Sequence, residues 1–310
     1  MYSGLAGRDL LSIGDLTRDD IEAILETAAD LKRTRRSTPG DRGPLAGKSV
    51  GMIFQRPSNR TRVSFEVAIH ELGGHPIALF SQEIQLGERE SVADIARILD
   101  RYLDGIVARV YNQLDLESMA ANAAAPVINA MTDAEHPCQV LADLLTVRER
   151  FGKHAVVTYL GDGNNVCNSW ILAAAVSGVE LRLVTPEGYE PRPGILKRAA
   201  ALGGAEHRVW AINTALRDTD VIYTDVWTSM GQEQEREQRR RDFAEMQVNS
   251  DLLKLAPASA RVMHCLPAHR GEEITDEVID GPQSIVFDQA ENRLHVQKAL
   301  LALIYASAEG

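Results

Sequence analysis

The sequence is poor in cysteine and carries no excess of basic charge. Its three cysteines, Cys138, Cys167 and Cys265, include no closely spaced pair, so they suggest neither a disulfide framework nor a zinc knuckle. A reducing compartment therefore fits best. Acidic residues outnumber basic ones by 44 to 33, which gives a net charge of -11. Because nucleic acids and membrane surfaces are anionic, this balance argues against both as general partners, although a local group of arginines can still bind a small anion.

Long apolar segments are also absent from the sequence. No stretch is long and apolar enough to span a bilayer, and the first residues do not combine a basic start with an apolar run. We therefore expect no membrane partner, no signal peptide and a soluble, cytoplasmic protein. What is present is ordinary globular composition, 45% hydrophobic and 25% charged, over 310 residues, which is long enough for two domains.

Strand-like and helix-like segments alternate along the chain. Apolar runs between turn residues predict strands at 48–54, 76–80, 105–109, 126–129, 155–160, 180–185, 221–224, 261–264 and 285–287. Helical spacing and capping residues predict helices at 17–31, 62–72, 91–102, 114–123, 137–149, 167–178, 195–202 and 290–307.

The alternation predicts an α/β protein with two doubly wound domains, each a parallel central sheet flanked by helices. We place the first domain at residues 1–147, completed by a C-terminal helix over 291–310, and the second at 148–290. The stretch 232–241 is rich in Gln, Glu and Arg and is predicted to be a solvated surface segment.

The segment Phe54–Arg62, FQRPSNRTR, joins a predicted strand to a predicted helix. Ser58 stands where a helix N-cap belongs, and free backbone N–H groups at a helix start attract phosphate. Ser58 and Thr61 add hydroxyl donors, while Arg60 and Arg62 add guanidinium groups that match phosphate oxygens. The alternative is an ordinary capped helix with solvated arginines. The segment follows a predicted parallel strand, where open α/β sheets bind ligands, and this favours phosphate.

The run Ser58-Asn59-Arg60-Thr61-Arg62 resembles the Ser-Thr-Arg-Thr-Arg signature of the aspartate/ornithine carbamoyltransferase family, with Asn59 where threonine is common. Other segments follow in the family's order: HPCQVLAD from His136, DVWTSMG from Asp225 and HCLP from His264. The resemblance covers about residues 9 to 305. It implies a carbamoyl phosphate site and a second site for the amino acid that accepts the carbamoyl group.

The resemblance implies a particular set of residues around carbamoyl phosphate. These residues are Ser58, Asn59, Arg60, Thr61, Gln85, Arg109, His136, Gln139, Cys265, Leu266 and Arg293. His136 and Gln139 would bond the carbonyl oxygen and the amide, and Gln85 would reach the site of a neighbouring subunit. Taken alone, His136 is more often a helix cap or a packed histidine, and Arg109 an exposed cation at a strand end.

For the acceptor, the resemblance implies that L-ornithine is held by Asn168, Asp225, Ser229 and Met230. Asp225 would pair with the α-ammonium group, and Cys265 would lie near the attacking amine and help to orient or deprotonate it. Without the resemblance, Asp225 would be a turn residue and Cys265 inert packing. We also predict a cis Leu266–Pro267 bond, because cis proline often marks a tight functional turn.

The implied activity is transfer of the carbamoyl group from carbamoyl phosphate to the side-chain amine of ornithine, giving citrulline and phosphate. Arg60, Arg109, His136, Asp225 and Cys265 would be the catalytic residues. Neither a metal nor an organic cofactor is expected, because the donor is already activated and the protein supplies position and charge. The family also implies a homotrimer or a multiple of trimers.

Three other functions stay open at this stage. The acceptor could be a different amine, such as putrescine or N-acetylornithine, although the run from Ser229 to Gly231 favours ornithine. The glycines in Gly161–Val166 suggest an NAD-dependent dehydrogenase, but the third glycine of the dinucleotide motif is missing. A non-catalytic homologue should have lost some catalytic positions, yet Arg60, His136, Asp225 and Cys265 are all present.

Overall fold

The computed structural model describes residues 4–35, 43–204, 209–229 and 231–306. Within these residues the named strands form two four-stranded sheets in which every strand pairing is parallel. The chain divides into two units: unit 1 is Met1–Leu145 with Glu291–Gly310, and unit 2 is Thr146–Ala290. The prediction of two α/β halves with parallel sheets is confirmed.

Unit 1 contains a sheet of strand order β2-β1-β3-β4. Its strands are β1 Ser49–Phe54, β2 His75–Phe80, β3 Gly105–Arg109 and β4 Val127–Met131. Its helices are α1 Arg18–Thr34, α2 Asn59–Glu71, α3 Ser81–Ile84, α4 Val92–Leu99 and α5 Gln113–Asn122, after a short 3-10 turn at Ile13–Asp15. Helix α6, Pro137–Phe151, carries the chain from unit 1 into unit 2.

Unit 2 repeats this topology with the order β6-β5-β7-β8. Its strands are β5 Val156–Leu160, β6 Glu180–Val184, β7 Val221–Thr224 and β8 Arg261–His264. Its helices are α7 Asn165–Ser177, α8 Pro193–Ala201, α9 Ile212–Leu216, α10 Arg236–Asp242, α11 Ser250–Leu253 and α12 Asp276–Ile279, with 3-10 turns at Glu233–Glu235 and Ala244–Met246. Helix α13, Val286–Ile304, returns the chain to unit 1.

Apolar side chains hold each sheet to its helices. In unit 1, Ile53, Ile106 and Val127 from three strands pack with helix residues such as Ile95 and Leu116. In unit 2, the corresponding core joins strand residues Leu160, Ile222 and Val262 to a set that includes Trp227, Phe243 and Val278. Burial on both faces explains why β1 and β3 are almost continuous apolar runs, whereas the edge strand β6 carries Glu180 and Arg182.

The order of the strands creates one topological switch point in each sheet. In the first sheet the connection after β1 leads to β2 on one side, and the connection after β3 leads to β4 on the other side. In the second sheet the connections after β5 and β7 diverge in the same way. Open α/β sheets bind ligands in the crevice outside the carboxyl ends of the strands at this point. The loops after β1 and β3, and those after β5 and β7, are therefore where a site is expected.

Two local predictions were wrong. Residues 285–287 are not a strand, because α13 already begins at Val286; only two backbone hydrogen bonds, Val262 N to Gln283 O and Ile285 N to Val262 O, extend the sheet before the chain turns into this helix. Helix α2 begins at Asn59, three residues before the predicted start, because Ser58 caps it. The stretch 232–241 forms most of α10 and is largely exposed, as predicted, although its Arg239 is buried.

The Thr17 capping box is confirmed. The Thr17 hydroxyl accepts a hydrogen bond from Asp20 N at 3.1 Å, and Thr17 N donates to Asp20 Oδ2 at 2.8 Å. None of the helices in the described ranges combines the length and the apolar content needed to cross a membrane.

Candidate active site

In unit 1, Ser58 fixes the start of α2 directly after β1. Its hydroxyl oxygen accepts from Thr61 N at 3.2 Å, and its hydroxyl donates to Thr61 Oγ1 at 3.0 Å. Thr61 is buried, while Asn59 is exposed and Arg60 is half-buried. The first backbone N–H groups of a helix have no partner within the helix, so this turn presents donors and positive charge to an anion.

A chain of buried side chains runs from this turn to the last helix. Arg293 of α13 donates to Thr61 Oγ1 at 3.1 Å and to Gln139 Oε1 at 2.6 Å. Gln139 in turn donates from Nε2 to Asp143 Oδ1 at 2.8 Å. Arg293, Gln139 and Asp143 are each at most 3% exposed. The orientation of Gln139 and Thr61 is therefore fixed by hydrogen bonds before any ligand arrives.

His136 is buried at the start of α6 among positive charges. Burial lowers its pKa well below 6.5, and the nearby guanidinium groups of Arg293, Arg109 and Arg60 lower it further. The imidazole is consequently neutral at neutral pH, and it can donate one hydrogen bond without adding to the positive charge. Arg60, Arg109, His136 and Arg293, which the sequence analysis selected from four separate segments, thus belong to one electrostatic cluster.

Gln85 and Arg62, two further residues of unit 1 singled out in the sequence, lie at the surface. Gln85 lies on the exposed loop after α3 in a left-handed conformation, with φ of 40°. Its backbone N donates to Ser81 O at 2.9 Å. Arg62 lies 3.9 Å from Glu66 and its guanidinium lies over the Phe80 ring. Both residues therefore lie on the surface of unit 1.

In unit 2, Asp225 joins the loops that follow three neighbouring strands. Its Oδ2 accepts from Asn164 Nδ2 at 2.7 Å, and its Oδ1 accepts from the Cys265 thiol at 2.8 Å. Asn164 also caps α7, because its Oδ1 accepts from Val166 N and Cys167 N. The loops after β5, β7 and β8 are thereby linked through one buried carboxylate.

The turn after β8 places Cys265 next to this carboxylate. His264 Nδ1 accepts from Leu266 N at 2.8 Å, and His264 Nε2 lies 3.1 Å from Glu273 Oε1. The Leu266–Pro267 bond is cis, as predicted, and Leu266 has φ of 57°. Cys265 is half-buried, unlike the fully buried Cys138, whose pKa burial raises to about 12.

Helix α10 supplies a residue that the sequence analysis missed. Arg239 donates to Asp162 Oδ2 at 3.0 Å, to Trp227 O at 2.8 Å and to Glu235 Oε2 at 2.9 Å. Its guanidinium lies 4.9 Å from the Tyr189 ring centroid. Burial raises the pKa of Asp162, and the charge of Arg239 opposes that rise. Arg239 therefore ties the loop after β5 to the loop after β7.

The remaining acceptor-site predictions are distributed over α7 and the loop after β7. Asn168 is buried on α7, four residues after the cap, and its backbone N donates to Asn164 O. Ser229 N donates to Gln232 Oε1 at 3.0 Å, which shapes the loop before α10. Met230 lies outside the described residues, so its predicted contact with the acceptor stays a prediction.

The glycines after β5 have a structural explanation. A Cβ atom on Gly163 would come within 2.4 Å of Pro191 N and 2.5 Å of Glu190 C, so the backbone of residues 190–191 requires glycine there. The same loop hydrogen-bonds this backbone through Gly163 N and Tyr189 O. Packing within unit 2 accounts for this glycine, and the dinucleotide interpretation loses its main support.

Two family models match the chain. The model described as "Aspartate/ornithine carbamoyltransferase, carbamoyl-P binding domain" matches residues 8–149. The model described as "Aspartate/ornithine carbamoyltransferase, Asp/Orn binding domain" matches residues 153–304.

Curated relatives and solved structures are similar over nearly the whole chain. The ornithine carbamoyltransferase of Thermococcus kodakarensis is 50% identical, and the anabolic ornithine carbamoyltransferase of Pyrococcus furiosus is 52% identical, each with 98% of both chains covered. The solved structure of ornithine carbamoyltransferase from Pyrococcus furiosus superposes with a TM-score of 0.93 at 51% identity and covers 100% of both chains.

Proposed function

Because the chain belongs to the aspartate/ornithine carbamoyltransferase family, we propose that it transfers the carbamoyl group of carbamoyl phosphate to the side-chain amine of L-ornithine. The products are citrulline and phosphate. The observation that carries the donor half is the cluster in unit 1, where the charges of three arginines act on the buried, neutral His136 beside the capped start of α2. Anionic, activated acyl donors need such a cluster.

Unit 1 is proposed to bind carbamoyl phosphate. Arg60 and the backbone N–H groups of residues 59 and 60 hold the phosphate, and the hydroxyl groups of Ser58 and Thr61 add donors. Arg109 and neutral His136 donate to the carbonyl oxygen, while Gln139 and Arg293 complete the set. Gln85 is proposed to act in the site of a neighbouring subunit of a homotrimer.

Unit 2 is proposed to bind ornithine. Asp225 pairs with the substrate α-ammonium, because it is a buried carboxylate held in place by Asn164 and Cys265. Asn168, Ser229 and Met230 are proposed to contact the amino acid end of the substrate. Cys265 and Leu266 lie at the turn after β8, and we propose that both residues contribute to binding of carbamoyl phosphate.

The reaction starts when the ornithine side-chain ammonium gives up a proton to solvent water, because an ammonium has no lone pair. The Cys265 thiol donates to Asp225, so the sulfur lone pairs can accept a hydrogen bond from the amine. The amine nitrogen attacks the carbonyl carbon, and negative charge grows on the carbonyl oxygen, where Arg109 and His136 donate. The bond from carbon to the phosphate oxygen then breaks, phosphate leaves with that electron pair, and the proton lost by the attacking nitrogen passes to the leaving phosphate.

A colorimetric assay for ureido products tests the proposal. The purified protein is incubated with carbamoyl phosphate and, in separate reactions, with ornithine, putrescine, N-acetylornithine and aspartate. We expect product with ornithine alone. Product with a different amine would keep the donor half of the proposal and overturn the acceptor half. No product with any amine would favour a non-catalytic homologue.

We also propose that the enzyme acts in the cytoplasm.

A further inference from the structure

Three metal-ligating side chains lie together on the loop that follows β8. His269, Glu272 and Glu273 each offer one ligand atom, and these atoms lie within 4.8 Å of one another. His269 Nδ1 is 4.0 Å from Glu273 Oε2. Within the described part of the chain, His269 Nδ1, Glu272 Oε2 and Glu273 Oε2 are buried atoms that have no hydrogen-bond partner. Glu273 is 0% exposed and Glu272 is 7% exposed.

The other oxygen of each carboxylate is already held by donors. Glu272 Oε1 accepts from Arg236 and, at 2.6 Å, from Arg240. Glu273 Oε1 lies 3.1 Å from His264 Nε2 and accepts from His269 N. Each carboxylate is thus fixed through one oxygen while its second oxygen is buried and unpaired. Such burial of an unpaired carboxylate oxygen is costly unless a cation or a donor meets it.

We propose that His269, Glu272 and Glu273 form a binding site for a divalent transition-metal ion of the zinc class. One imidazole and two carboxylates are ligands that zinc accepts, and three protein ligands leave a position for water. Zinc bonds of about 2.0–2.2 Å at the tetrahedral angle place two ligand atoms about 3.3–3.6 Å apart. Ligand atoms as far apart as 4.8 Å must therefore move towards one another by roughly 1.2–1.5 Å when the ion binds. His269 lies on a loop with its side chain 40% exposed, so it can make this movement and gives the ion access from solvent.

The donors behind the carboxylates fit the same interpretation. Ligating carboxylates in metal sites are oriented by hydrogen bonds from groups that do not touch the ion. Arg236, Arg240 and His264 have that position here. Glu273 also contacts His264, and His264 Nδ1 accepts a hydrogen bond from Leu266 N. An ion bound to Glu273 would therefore stabilise the turn that carries Cys265. The ion itself takes no part in the reaction.

A second group, Asp225, His264 and Cys265, also has ligand spacing and belongs to the acceptor site already described. The experiment therefore removes its thiol with the substitution C265S. Co²⁺ is titrated into full-length C265S, and binding is followed by the visible absorption bands of the ion and by calorimetry. We expect one Co²⁺ per chain without the strong absorption of a cobalt–thiolate bond.

The variant H269A is then added to C265S, with H154A as a matched control, because His154 is an exposed histidine of the same unit. We expect H269A to weaken Co²⁺ binding by at least about tenfold and H154A to leave it unchanged. If H269A does not fold, E272Q serves as the second variant, since it keeps the carbonyl oxygen for the arginines. No Co²⁺ bound to C265S, or equal affinity with and without His269, would overturn the proposal.

Discussion

The candidate sites of the two units are held in place in different ways. In unit 1 the residues proposed to touch the ligand also hold one another, because Arg293 bonds Thr61 and Gln139 directly. In unit 2 the proposed ligand residues lie in loops after the strands, and those loops are tied together by Arg239, which lies on a different helix. A substitution in unit 1 therefore removes both a proposed ligand contact and a hydrogen bond that positions another ligand residue. In unit 2 a substitution of Arg239 can remove the hydrogen bonds that position the loops without removing a proposed ligand contact.

The largest effect is expected from R60A in unit 1. Removal of this guanidinium takes a positive charge away from the proposed phosphate position, and we expect kcat/KM to fall by about 10³-fold. Steady-state kinetics with saturating ornithine measure this. The matched control is R62A, because Arg62 pairs with Glu66 on the helix surface, and it should change kcat/KM much less. Near-normal turnover by R60A would refute the proposed phosphate role.

The next effect concerns the chemical step in unit 2. C265A removes the thiol that donates to Asp225, and we expect kcat to fall by about 10²-fold while the KM for carbamoyl phosphate stays unchanged. The pH profile of kcat provides the check, since loss of a group that assists proton removal shifts the rise in rate to higher pH. A kcat equal to that of the unmodified protein would exclude this role.

A smaller and more selective effect is expected from R239A. The loops after β5 and β7 lose their common donor, so we expect the KM for ornithine to rise by about tenfold with the KM for carbamoyl phosphate unchanged. R241A is the matched control on the same helix, because Arg241 is exposed. R239K should restore part of the affinity. Equal increases in the KM for ornithine and the KM for carbamoyl phosphate would show that the loss of Arg239 affects both proposed sites. That result would contradict the proposal that Arg239 positions only the loops of unit 2.

The smallest effect is a pH dependence of stability from His136. Its pKa in the folded protein lies well below 6.5, the ordinary value that applies in the unfolded chain. In the pH range between the lowered pKa and 6.5, the unfolded chain therefore binds a proton at His136 that the folded chain does not. Stability from this group is present above pH 6.5 and is lost as pH falls below it, by up to about 1.4 kcal/mol per pH unit. Urea unfolding of the protein and of H136Q at pH 7.5 and 5.5 tests this, and H136Q should lose less stability. His295, whose pKa burial also lowers, is present in both and cancels.

The regular elements and the donor motif could be predicted because their signals are local. Apolar runs located most strands. Ser58 was recognised as an N-cap, although the helix that it caps was predicted to begin three residues too late. Arg239 could not be found in this way, because its partner Asp162 is 77 residues away in the chain. Among the charged residues of α10 it is the one that is buried, and charge composition alone does not distinguish it from Arg240 or Arg241.

The same limit applies to Asn164 and Glu273. Asn164 has a local signal, since it stands before a helix as an N-cap, but its bond to Asp225 depends on the parallel neighbours β5 and β7. Glu273 looks like any surface glutamate in the sequence, and only the fold buries it against His264. The last predicted strand failed because a short apolar run fits a strand or the first turn of a buried helix equally well.

The position of Arg293 in α13 also has a consequence for how the protein is made. Unit 1 receives its first part from residues 1–145 and its last from 291–310, so all of unit 2 is translated in between. At about 5–20 residues per second, the ribosome needs on the order of ten seconds to pass from Leu145 to Arg293. Throughout that interval Thr61 and Gln139 lack the guanidinium they later bond, so a nascent chain contains the donor signature long before it can assemble a complete donor site.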